Sequence, residues 1–183
     1  MEGLYERVAA ERRRLRQVRM ALTAATDHGA EGAADWVPFY VAIGDYFEAA
    51  MDRLHEQDIR MGDMLREKAD MDKPENIKAL EELDERLSGN QEHLGRMLAA
   101  RDALRADGAA ALEQFETAGG DYAAFIVANM GHHPGTADMA GELFSTADWE
   151  HMTLASDSAL EREAQLHAAV FAAAPEALDL SMD

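Results

Sequence analysis

The chain has 183 residues, 48% of them hydrophobic, which is enough for one compact core and too little for two full domains. Its 17 Lys and Arg stand against 36 Asp and Glu, a net charge of −19; binding to nucleic acid or to an anionic membrane is therefore not expected, because both need clustered cations. Cysteine is absent, which excludes disulfides, thiolate metal sites and cysteine nucleophiles.

The first element is a helix from about Gly3 to Asp27 with apolar positions Leu4, Val8, Leu15, Val18, Leu22 and Ala25, the spacing of a bundle helix. Glu11 occupies one slot of that stripe, and Arg12, Arg13, Arg14, Arg16 and Arg19 cover the other faces. This arginine run reads as a solvated face that also balances the acidic C-terminal tail. A break follows at 28–34. The second helix is expected from Asp35, a good N-cap, with Pro38 in the first turn where its missing N–H costs nothing. Its stripe is Trp36, Tyr40, Ile43, Phe47, Met51, Leu54, Met61 and Leu65, with Asp58 in the slot between Leu54 and Met61 and His55 on the adjoining line.

Pro74 opens a third helix through Ile77, Leu80, Leu83, Leu87, Leu94, Met97 and Leu104. Asn90 is its polar exception, with His93 at i+3, and Gly108 ends it. The fourth runs from about Ala109 to Met130 through Leu112, Phe115, Tyr122, Phe125 and Ile126, with Gly119-Gly120 as a weak point. His132-His133-Pro134-Gly135 reads as a turn or kink. A short helix through Met139 to Phe144, an N-cap at Ser145 and a last helix over 159–173 stopped by Pro175 complete the chain. No alternating Val/Ile/Thr stretch reads as a strand.

The pattern is all-α: an antiparallel up-down four-helix bundle with additional short C-terminal helices. We read it as a single helical domain over 1–183, with the bundle core at about 3–131 and a C-terminal helical extension at about 132–183. No apolar run reaches the ~20 residues of a bilayer span. The first residues lack the basic and apolar regions of a signal peptide, so a cytoplasmic location is expected.

Counting residues from each turn places Glu11, His55, Asp58, Asn90, His93 and Tyr122 at one height of the bundle. A buried carboxylate costs several kcal/mol, roughly, unless it is paired or coordinated. Imidazole with carboxylate is a common ligand set for iron, zinc and manganese, and bundles build such sites from facing helices. The expected metal ligands are His55, Asp58, His93 and Glu11, with Tyr122 and Asn90 as supporting donors. The alternatives pair Glu11 with an arginine, make His55 a packing residue and leave His93 solvated. Asn90 then sets helix register and Tyr122 belongs to the core. His132, His133, His151 and His167 read as surface or turn residues.

Three stretches resemble the bacterial hemerythrin-like (HHE) cation-binding family. Glu11-Arg12-Arg13-Arg14-Leu15-Arg16 is similar to that family's first-helix E-H-x-x-L-R, with Arg12 in place of the histidine. His55 and Asp58 resemble its second-helix histidine and carboxylate, at a shorter spacing. His133 and Asp138 match its H-x-x-x-x-D in letters, with Pro134-Gly135 inside. The resemblance covers roughly residues 5–150 and implies non-haem iron held by an altered ligand set, with zinc or manganese also suited to the donors.

Three readings of function follow. The first is a hemerythrin-like metal-binding bundle. The second is a metal-free bundle that binds a protein or a small ligand and forms a homodimer; the aromatics Trp36, Phe39, Tyr40, Tyr46 and Phe47 at one end are core or an interface, and the acidic tail would wrap the second subunit. The third is an enzyme using the polar layer for acid–base chemistry, for which the chain supplies no nucleophile motif and no phosphate loop.

Overall fold

The structure, a computed structural model, describes residues 2–129 and 134–180. These residues are almost wholly helical and contain no strand. The helices are α1 (Glu2–His28), α2 (Val37–Lys68), α3 (Pro74–Asp107), α4 (Leu112–Asn129), α5 (Pro134–Leu143), α6 (Thr146–Met152) and α7 (Asp157–Ala172).

Most boundaries follow from local chemistry. Pro74 lies in the first turn of α3, and Gly108 stops that helix with φ 60°, a conformation that costs glycine little. Ser145 caps α6 in a reciprocal box with Asp148, and Ser156 accepts from the Ala159 N–H at the start of α7. Three expectations are corrected. A 3-10 turn over Ala34–Trp36 precedes α2, so Trp36 rather than Asp35 holds the cap position. The buried indole of Trp36, packed against Tyr40 and Phe39, fixes that tight turn. A second 3-10 turn, Gly108–Ala111, delays α4 to Leu112. Pro134 and Gly135, read as the end of a turn or kink, are the first residues of α5, where proline is well suited. His132 and His133 lie outside the described residues.

α3 packs on α4 and on α2, α4 on α1, and α2 on α7. α1 touches α2 far less than it touches α4, and α7 lies against both α1 and α2. The C-terminal helix is thus part of the fold's main core, where Val170 is fully buried beside Leu22, Phe47, Met97 and Phe115. A second apolar cluster joins Leu65, Leu80 and Leu83 to Met139, Ala140 and Phe144 of α5. The expected weak point at Gly119 is continuous helix: a Cβ there would stand 3.0 Å from Leu22 Cδ1, so glycine lets α4 approach α1 closely. No helix among the described residues is long and apolar enough to cross a membrane.

Candidate functional site

The polar residues expected at one height divide into three arrangements. The first is an ion network joining three helices. Glu11 of α1 is buried, and its Oε2 lies 3.1 Å from Arg53 Nη1 of α2. Arg53 also forks onto Glu163 of α7: Nε donates to Oε1, and Nη2 donates to Oε2 at 3.0 Å. Arg7 reaches Glu11 at 3.5 Å from the other side. All three members of the Glu11–Arg53–Glu163 set are more than nine-tenths buried. Burial alone would lower the Arg53 pKa, but the hydrogen bond and charge of Glu163, with Glu11, hold it above its ordinary value.

The second arrangement is a small cavity of about 10 Å³ lined by His55, Asp58, Asn90 and Arg86 among apolar neighbours. That is about the room of one water molecule. Asn90 is buried and accepts a hydrogen bond from the Tyr122 hydroxyl at 2.9 Å. Burial raises the Tyr122 phenol well above its ordinary pKa. His55 Nε2 lies 2.7 Å from the Gln91 amide nitrogen, while its Nδ1 is buried with no hydrogen-bond partner. With that amide donating, Nε2 accepts and the neutral ring carries its proton on Nδ1. Burial lowers the Arg86 pKa, and the Asp58 and Glu82 charges oppose the shift.

His93 forms the third arrangement and does not line that cavity. Its ring stacks on Phe125 of α4 with centroids 4.7 Å apart, and its Nδ1 accepts from Arg96 Nη2 at 2.8 Å. So the structure places His55 with Asp58, Asn90 and Tyr122, and it engages Glu11 and His93 elsewhere. Among the described residues no three His, Asp or Glu side chains are grouped to hold a metal ion.

One further concavity was not anticipated. A groove of about 810 Å³ runs between α2 and the start of α7. Arg53 and Glu163 form its floor, Asp52, Glu56 and Arg60 stand on α2, and Arg162 on α7. Arg60 donates to the carbonyls of His151 and Leu154, which ties the α6–α7 connection to α2. At the far end Arg101, buried on α3, bonds Asp45 at 3.0 Å and Glu48 at 2.6 Å. Asp52, Glu56 and Arg162 make no ion pair among the described residues.

No family model, curated protein or solved structure matches this chain. Function must therefore be argued from the site itself.

Sequence reasoning found Glu11 because it interrupts an apolar stripe. The same signal marks Glu163, which falls in the line Ala159, Glu163, Leu166, Val170 of α7. Arg53 carried a subtler one. It lies on the line Tyr46, Ala50, Arg53, Gln57, all buried, because α2 is covered by α7 as well as by α3.

Proposed function

We propose that this protein is a helical binding module that needs no metal and takes a small ligand, bearing both cationic and anionic groups, in the groove between α2 and α7. The observation that carries this reading is the pairing of a preorganised floor with uncommitted walls. Arg53 and Glu163 are locked together beneath the groove, while Asp52, Glu56 and Arg162 face it without a counter-charge among the described residues. The volume lies within the ~300–1,000 Å³ range of small-molecule sites. Ser156, the hydroxyl residue of the lining, is occupied in capping α7, so the lining supports binding more than nucleophilic turnover. The scaffold is read as an up-down antiparallel bundle of α1–α4, with α7 laid along the α1–α2 seam.

The second reading is the hemerythrin-like cation site. It is favoured by His55 and Asp58 lining one cavity, where ligation through Nδ1 requires the ring proton to move to Nε2 and the Gln91 amide to turn away. Two donors at one place leave a coordination sphere mostly to outside ligands, which ranks this reading second.

The test is a thermal-shift screen with amino acids, short peptides, linear diamines and dicarboxylates, run with and without chelator. The expected result is a rise in Tm with a doubly charged ligand that survives chelation. Asp52→Asn/Glu56→Gln, both exposed positions, should abolish the rise. Silence across the panel, together with iron, zinc or manganese at near one per chain that is lost in His55→Ala, would replace this reading with the second.

A further inference from the structure

Among the described residues, Arg12, Arg13, Arg16 and Arg19 of α1 pair with no carboxylate of the acidic tail. Arg12, Arg13 and Arg16 are exposed and Arg19 is half-buried, and none of the four guanidinium groups makes a hydrogen bond or ion pair among the described residues. The buried side of α1 is set by Glu11, Val18, Ala21, Leu22 and Ala25, and at 3.6 residues per turn the four arginines lie on the opposite side. α7 meets α1 away from them, through His167 and Gln17. Met20, 45% exposed, sits within the same strip.

This placement is electrostatically unfavourable in the isolated chain. Arg12–Arg16 and Arg16–Arg19 are like charges at i,i+4 and i,i+3, a spacing that destabilises a helix. The chain has 36 carboxylates, and among the described residues none is paired with these four. Four of the chain's 17 cations are thus gathered on one helix face of a molecule whose net charge is −19.

We infer that the outer face of α1 is a docking surface for a second copy of this chain, with guanidinium groups meeting carboxylates of the partner copy. Charge complementarity and spacing favour this occupant. The chain displays, outside the groove, an exposed carboxylate pair one helical turn apart with no cation of its own among the described residues, Glu81–Glu85, and Arg12–Arg16 has the same spacing. The planar fork of arginine suits paired carboxylates. A nucleic acid or lipid surface carries continuous phosphate charge that would extend from this short strip onto repelling acidic surface. The contact area is one helix face, so the association is weak.

The test is sedimentation velocity of the full chain at high concentration in low, intermediate and high salt. Two molecules of net charge −19 repel at long range, so the association has a salt optimum. At ~0.1 M the screening length is ~10 Å, which suppresses the long-range repulsion and leaves the contacts, while ~1 M salt screens the contacts too. The expected result is self-association strongest at the intermediate salt and lost at the highest. Arg12→Glu/Arg16→Glu should remove it at every salt with an unchanged circular dichroism spectrum. A chain that is monomeric throughout, or an association that persists in the double variant or in high salt, overturns the proposal. So does a strip-dependent capture of phosphatidylserine vesicles or of an oligonucleotide by a monomeric chain.

Discussion

Arg53 is the residue on which the most structure depends. It is buried and neutralised by two carboxylates from two other helices. Removing one member of such a set leaves an uncompensated buried charge, whereas replacing the whole set by apolar groups of similar volume is often neutral or better. Arg53→Met should therefore lose roughly 3–5 kcal/mol of stability in urea denaturation. The triple change Arg53→Met/Glu11→Leu/Glu163→Leu should recover most of that loss. Equal losses in the single and triple variants would show that packing, not charge, governs the site. The buried phenols supply a second prediction. Tyr40 is raised by burial and by Glu116, Tyr46 by burial and by Glu163, and Tyr122 by burial. Their folded values lie above the unfolded value of about 10, so the folded state keeps protons that the unfolded chain releases. Their contribution is fully present below about pH 10 and is lost as pH rises beyond it. The urea midpoint should fall between about pH 8 and about pH 11, and phenolate absorbance from these three should appear only with unfolding. A flat midpoint, with phenolate forming in the folded chain, would contradict the burial argument. At this scale the sequence was partly legible. A carboxylate in an apolar stripe points to a partner, as Glu11 did, but the pattern does not say whether that partner is a metal or an arginine on another helix.

The helices themselves were the most legible level, because their punctuation is chemical. Pro74, Gly108, Ser145 and Pro175 act at or beside the ends that the sequence assigns them. Asp35 failed as a cap because burial of the neighbouring Trp36 set the turn, a tertiary demand that local propensity does not contain. Glycines inside helices were harder to interpret. A Cβ on Gly44 of α2 would lie 2.6 Å from Arg101 Cδ of α3, so the glycine is the floor across which Arg101 reaches Asp45 and Glu48. Gly95 of α3 has nothing within 4 Å. The two should respond oppositely to alanine. Gly95→Ala should gain up to ~1 kcal/mol from helix propensity. Gly44→Ala should be destabilising, because overpacking of ~1–3 kcal/mol outweighs the same gain. Thermal melts of the two variants decide this, and a stabilised Gly44→Ala would mean that Arg101 is not held where it is described.

For the molecule as a whole, the groove exists because α7 returns to lie along α2. Its depth follows from two contacts far apart in sequence, Arg53 with Glu163 and Arg60 with the α6–α7 connection. Such contacts join elements about a hundred residues apart, and helical periodicity reports only on neighbours within a turn or two. That is why the helix pattern was legible and the groove was not, and why residues matched only by height, such as His93 and His55, ended on different faces. Native mass spectrometry of the 20.1 kDa chain, incubated with the charged small-molecule panel and then desalted, tests the central claim most directly. The account predicts an organic adduct of one ligand per chain, insensitive to chelator and absent from Asp52→Asn/Glu56→Gln. A mass increment of one or two iron, zinc or manganese ions that His55→Ala removes, with no organic adduct, would contradict it.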